Sequence, residues 1–261
     1  MVLIFDLDGV IVGSTFFSDI LMEMICQRFE DHDLCFEPPV IFQEILSRFV
    51  QKLGEENKSL AYDWDLLISE YLREYNIPWS CEIEDFFSSD ELLNYIYLYK
   101  DTDVLNWLLE KGYTLTILTN GLPKYQDHVI KKLKLNRFFK KIVMPNPRTI
   151  KLVKPYSEIF EIVTEGFQGT HVMIGDSLYF DIYGAKKASY QTIWLFRKLP
   201  RKYQKLSIQT RTEKINQNTR YLMKNILRSA PFLKDSLQKD NLDEFKPDFI
   251  IYNLRELKEL F

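Results

Sequence analysis

Two carboxylates two residues apart, Asp6 and Asp8, follow directly on the apolar run Val2-Leu3-Ile4-Phe5 and precede Gly9. A buried strand that opens into a loop puts such groups at its carboxyl end, where one can act as a nucleophile or a metal ligand. Residues two apart on an extended chain face the same way, and glycine lets the backbone turn sharply beside them. The same tetrapeptide also makes an ordinary solvated turn, so its meaning depends on what else the chain contains.

Three further segments bear on it. Thr114-Leu115-Thr116-Ile117-Leu118 reads as a second buried strand and ends in Thr119-Asn120-Gly121. Lys154-Pro155 opens a helical stretch from Ser157 to Val163, and the strand His171-Val172-Met173-Ile174 ends in Gly175-Asp176-Ser177, with Asp181 close behind. Each has a plain reading: a strand-to-helix turn, a proline at a helix start, an aspartate cap. Independent turns and caps have no reason to keep this order. Together the residue types suit phosphoryl transfer, because an anionic ester repels a carboxylate nucleophile unless a cation and hydrogen-bond donors surround it.

In type, order and spacing these segments resemble the motifs of the haloacid dehalogenase-like superfamily of hydrolases, over roughly residues 1–13, 101–198 and 246–261. The resemblance implies that Asp6 attacks phosphorus to form an aspartyl-phosphate, while Asp8 protonates the leaving oxygen and then activates water. Thr119 and Lys154 would hold the phosphoryl oxygens, with Asn120 and Gly121 against the substrate. Asp6, Asp8 and Asp176 are the expected Mg²⁺ ligands, and Asp181 would stand behind them, fixing Lys154 or a metal-bound water. Dehalogenating members lack an acid at the position of Asp8, since a halide leaves without a proton. The implied activity is therefore a Mg²⁺-dependent phosphatase acting on a small phosphorylated metabolite. A phosphomutase using the same residues and a non-catalytic protein that kept the fold are the alternatives. One departure is Gly13, where many relatives carry Asp.

The elements that must position these residues follow from periodicity. The β–α alternation predicts an α/β core, a doubly wound parallel sheet with its site at the carboxyl ends of the strands. Residues 14–100 read as amphipathic helices without intervening strands, including Phe16–Phe29, Val40–Leu53, Trp64–Tyr75 and Glu91–Tyr99. They are expected to form a smaller helical cap on a core of residues 1–13 and 101–261. Phe16, Phe17, Trp64 and Trp79 are candidates to line a pocket under it, although aromatics at helical spacing are more often core.

Length and charge complete the frame. At 261 residues the chain suffices for one α/β domain with a smaller appended one. Cys26, Cys35 and Cys81 have no metal-binding spacing and are odd in number, as expected of reduced thiols in a cytoplasmic protein. The opening apolar run is too short for a secretory signal, and no stretch reaches membrane-spanning length, so no membrane partner is expected. A net charge of −3 conceals polarity. Residues 14–100 hold 18 acidic and 6 basic side chains, whereas 200–229 hold 8 basic and 1 acidic. The basic stretch belongs to an insertion at about 200–246. It reads first as a structural helical layer, or as a surface meeting the acidic cap within one chain or in a homodimer. Nucleic acid is the other reading, with Arg211, Lys214 and Arg220 as the contacts.

Overall fold

The computed structural model describes residues 1–237 and 239–261. Its strands are β1 (Val2–Phe5), β2 (Val12–Ser14), β3 (Ile96–Leu98), β4 (Thr114–Leu118), β5 (Lys141–Val143), β6 (His171–Gly175), β7 (Gln191–Leu195) and β8 (Phe249–Ile251). Six of them form one parallel sheet in the order β5-β4-β1-β6-β7-β8. All four residues of β1 are buried, as befits a central strand covered on both faces. Its register decides where the chemistry lies. Phe5 stands opposite Ile117 on one side and Ile174 on the other, so Asp6, Thr119 and Asp176 emerge together at one edge of the sheet.

The segment between β2 and β3 is helical. It contains α1 (Met22–Glu30), α2 (Pro38–Gly54), α3 (Trp64–Arg73) and α4 (Glu82–Ser88). Helix α5 (Val104–Glu110) precedes β4, α6 (Pro123–Lys132) follows it, and α7 (Ser157–Thr164) precedes β6. Helices α1, α2, α3 and α7 fall on stretches read as helical from the sequence, α4 on one not singled out there, and one stretch differs in kind. Instead of a helix through Glu91–Tyr99, a 3₁₀ turn at Asp90–Asn94 gives way to β3, which pairs antiparallel with β2. Ile96-Tyr97-Leu98 is a β-prone triplet, and β2 gives it a partner that local sequence does not reveal. The pairing also accounts for Gly13. Tyr97 lies across it so closely that a Cβ there would stand 2.3 Å from the ring.

The insertion folds as the structural layer. Helices Ile208–Asn216 and Thr219–Ser229 bury Ile215, Leu222 and Ile226 with Trp194 and Ile250 of the sheet. Residue 238 of that stretch lies outside the described residues. Arg211 is not a surface contact. It is 3% exposed and bonded to Glu256 at 2.7 Å, while Lys214 and Arg220 are exposed. Among the described residues no ion pair joins the insertion to the acidic segment, no disulfide forms, and no helix is long and apolar enough to cross a membrane.

Asp65 ties the inserted helices together and to α6. Only 5% exposed, it accepts from Trp79 Nε1 at 2.9 Å, Ile83 N at 3.0 Å, Glu84 N at 3.2 Å and the Tyr125 hydroxyl at 3.0 Å. Removing the acceptor strands several buried donors. Asp65→Ala should therefore lower unfolding stability by about 3 kcal/mol in urea titrations. Asp90→Ala, which removes an ion pair from a fully solvated aspartate, should leave it essentially unchanged. Equal stabilities for the two variants would contradict the assignment.

Candidate active site

Lys154 is the centre of the site. It is 2% exposed, and its Nζ donates to Asp6 Oδ1 at 2.7 Å and to Asp181 Oδ1 at 2.6 Å. Asp6 continues the β1 ladder, its N–H donating to the Ile174 carbonyl at 2.9 Å, which fixes the start of the side chain. Asp181 is wholly buried, and its second oxygen accepts from Ser177 N at 3.0 Å. Ser177 in turn caps the helical turn Leu178–Tyr183 by accepting from Phe180 N. Both oxygens of Asp181 are thus engaged, consistent with a residue that holds Lys154 in place.

Asn120 makes a clasp with the backbone of Lys154. Its Oδ1 accepts from Lys154 N at 2.7 Å, and its Nδ2 donates to the Lys154 carbonyl at 3.1 Å and to the Tyr62 hydroxyl at 2.7 Å. The sequence places Asn120 against the substrate, but in the structure its amide is fully engaged with protein partners. Thr119 is buried beside it, its hydroxyl accepting from Gly121 N at 3.2 Å, and both Thr119 and Gly121 line the cavity.

Asp176 lies against Gly9, the residue after Asp8 in the loop that follows β1. Gly9 adopts φ +77°, and a Cβ there would lie 2.3 Å from Asp176 Oδ2, so conformation and space both demand glycine. Asp8 Oδ2 accepts from Gln126 Nε2 at 2.7 Å. Asp6, Asp176 and Asp181 each offer an oxygen within 4.8 Å of the others, and the Asp8 carboxylate, expected among the metal ligands, is not in that group.

Burial of so much negative charge in one cleft raises three of these carboxyls, Asp6, Asp8 and Asp176. Burial raises Asp6 well above the usual carboxylate range, with Lys154 opposing it and Asp181, Asp176 and Asp8 adding to it. Burial, then Asp181, pushes Asp176 up to about 7, although its carboxyl opens onto the cavity. Desolvation in the cleft also raises Asp8, against the Gln126 hydrogen bond and Lys154, although the residue opens onto the cavity. One lysine cannot neutralise four aspartates, and the donor set, hard oxygens of Asp6 and Asp176 among them, fits a divalent cation of the Mg²⁺ type.

The cavity over these groups measures about 510 Å³. Of the four candidate aromatics, Phe17 and Trp64 line it, whereas Phe16 and Trp79 are core. Three contributors have no signature in the sequence. Gln126 is an ordinary polar position on α6, and Tyr62 arrives from the helical segment. Arg197 braces the catalytic loop from outside, donating to the Gly9 carbonyl at 3.0 Å and the Val10 carbonyl at 2.6 Å. It also pairs with buried Asp101 at 2.9 Å and stacks on Tyr99 at 3.6 Å.

Known proteins resemble this chain in sequence and in fold. Over 200 residues the chain is 29% identical to the glyceraldehyde 3-phosphate phosphatase of Pyrococcus abyssi, covering 74% of this chain and 80% of that one. The protein of the same name in Pyrococcus furiosus is 27% identical over 199 residues, covering 74% and 79%. In fold, a HAD phosphatase from Thermococcus onnurineus superposes with a TM-score of 0.64 at 22% identity, over 99% of this chain and 96% of the other. YfnB from Bacillus subtilis, solved bound to magnesium, gives 0.59 at 20% identity, over 99% and 97%. The family model for haloacid dehalogenase-like hydrolases runs from residue 3 to residue 195, through all the segments that meet around Lys154, and the chain belongs to that family.

Proposed function

We propose that the protein is a Mg²⁺-dependent phosphatase that hydrolyses a small phosphorylated metabolite through an aspartyl-phosphate on Asp6. The observation that carries the reading is the Lys154 ammonium held between Asp6 and Asp181, with Asp176 in reach of both and Asp8 facing the same cavity. In this reading residues 14–100 form a cap over a core of 1–13 and 101–261. The unpaired cysteines suit a cytoplasmic setting.

Asp6 and Asp176 would hold Mg²⁺, which when bound supplies positive charge beside the transferring phosphoryl group. The magnesium seen with YfnB supports that choice. The Asp6 carboxylate attacks phosphorus, forming the acyl-phosphate bond as the ester P–O bond breaks. Asp8 gives its proton to the departing alcohol oxygen, and its raised pKa favours the protonated form that this step needs. Asp8 then takes a proton from water, whose oxygen attacks phosphorus and frees Asp6 and inorganic phosphate. The Thr119 hydroxyl and Lys154 orient the phosphoryl oxygens throughout. Asn120 acts through Lys154 rather than on the substrate. Tyr62, kept protonated by burial, accepts from Asn120 and retains its own O–H for a group in the cavity.

Glyceraldehyde 3-phosphate, the compound in the relatives' names, heads the panel of phosphate esters to be tried. Phosphate release should require Mg²⁺, stop on chelation, and fall by at least about a thousandfold in Asp6→Asn, as loss of a nucleophile demands. Release that persists undiminished in Asp6→Asn would rule out the aspartyl-phosphate route.

Gln126 should act as a positioning residue for the acid. Gln126→Leu is expected to lower kcat by about ten- to a hundredfold on alkyl phosphates, part of the usual contribution of general acid catalysis. The loss should shrink with 4-nitrophenyl phosphate, whose leaving group departs without a proton. A uniform loss on both substrates would mean that Gln126 serves the fold rather than Asp8.

A further inference from the structure

The cavity has two chemically different ends. Every Lys, Arg, Asp or Glu that lines it among the described residues, namely Asp6, Asp8, Lys154, Asp176 and Asp181, belongs to the catalytic end. The opposite wall comes from the cap and is aromatic and aliphatic. Phe49 stacks on Trp64 with the rings 6° from parallel and 6.3 Å apart, and Phe17 meets Trp64 edge-on at 5.1 Å. Phe42 and Leu46 continue this wall, and Phe42 is 57% exposed although α2 holds it over the opening. With Phe17, which is 45% exposed, it adds contiguous apolar surface beside the cleft, as ligand-binding grooves do. Tyr125 already donates to Asp63 and Asp65, and Ser14 accepts from Phe16 N; the Ser14 and Tyr62 hydroxyls remain on this side, and no charged group lines it among the described residues.

We infer that the substrate is a phosphate monoester whose alcohol carries no second charge and presents an apolar, preferably aromatic, body to the cap. The inference rests on the phosphatase reading and names the substrate class of that same site. A second phosphate or a carboxylate on the alcohol would enter the cavity without a cationic partner, and desolvating an unpaired charge is strongly unfavourable. The acidic cap, with 18 acidic against 6 basic residues, also repels a second negative group on approach. A flat ring, by contrast, meets Phe17, Phe49 and Trp64 in the offset or edge-on geometries that aromatic pairs favour. At about 510 Å³ the cavity falls in the range of sites that take drug-sized ligands, more room than a phosphorylated three-carbon chain fills.

The test measures kcat/KM with Mg²⁺ for 2-phenylethyl phosphate, glyceraldehyde 3-phosphate, glycerol 3-phosphate and 3-phosphoglycerate. All release an alkyl alcohol, so leaving-group acidity does not dominate the comparison. Acetyl phosphate serves as a control with almost no body. We expect 2-phenylethyl phosphate to exceed both uncharged three-carbon esters by at least about tenfold, and 3-phosphoglycerate by about a hundredfold, as hydrophobic pockets and unpaired charges discriminate. In a Phe17→Ala/Phe42→Ala variant the ratio of 2-phenylethyl to glycerol phosphate should fall about tenfold, mostly through KM. A folding defect would depress both substrates alike and leave that ratio intact. Release led by a three-carbon ester, or a ratio unmoved in the variant, overturns the inference and leaves the phosphatase reading standing. Release from no compound, acetyl phosphate included, overturns both.

Discussion

A lysine ammonium buried between two carboxylates is the constraint around which the fold is arranged. Removing three charges from water is costly, and their attraction compensates only when geometry and the remaining hydrogen bonds are good. Here they are. Asp181 uses its second oxygen on Ser177 N, the Lys154 backbone is clasped on both sides by Asn120, and Asp6 is set by the β1–β6 ladder. These residues come from four separate stretches of chain, and only a parallel sheet in this register brings them to one edge. The site and the sheet are therefore one structure: a slip of β1 by one residue would turn Asp6 to the opposite face.

The inserted helices are joined to this edge by contacts that a simple lid would not need. Tyr62 bonds to Asn120, and Asp63 and Asp65 bond to Lys124 and Tyr125 of α6. At the β2–β3 ribbon the chain leaves and re-enters the core beside Arg197, whose guanidinium holds the catalytic loop, Asp101 and Tyr99 at once. Asp101 also accepts from Leu254 N at 2.8 Å, which ties the C-terminal segment to the same point. Arg197 thus holds the loop after β1 and Asp101 directly, and reaches the C-terminal segment through Asp101.

How much of this was legible in the chain varied with the kind of information required. Apolar runs ending in Asp6, Thr119 and Asp176 announce themselves because a strand followed by a polar turn is a local pattern. The helices between β2 and β3 are equally local, apart from the stretch around Ile96, whose state depends on a partner strand more than eighty residues away. Gln126 and Tyr62 could not be picked out, since a polar residue on a helix and a tyrosine in a turn acquire roles only from what folds against them. Charge misled in the same way. Arg211 counts with the basic stretch in sequence, but Glu256 makes it part of the interior, and composition does not distinguish a buried arginine from a solvated one. Asn120 stands beside Thr119 and Lys154 as its place in the chain suggests, while its bonds to Tyr62 and to the Lys154 backbone depend on segments far away in sequence.

The distribution of charge in the cavity also bears on the choice between hydrolysis and phosphoryl shuttling. A mutase returns its phosphoryl group to a second hydroxyl of a bound sugar phosphate, so it must hold a bisphosphate in which one phosphate sits away from the nucleophile. That second phosphate needs a cationic or multiply hydrogen-bonding seat at the far end of the pocket. The far end here is built from Phe17, Phe42, Phe49 and Trp64, and the single cationic side chain lining the cavity among the described residues is Lys154, already held by Asp6 and Asp181. Hydrolysis asks only that water reach the acyl-phosphate after the alcohol departs. In the proposed reaction Asp8, held by Gln126 and lining the same cavity, would serve first the alcohol oxygen and then the water that replaces it.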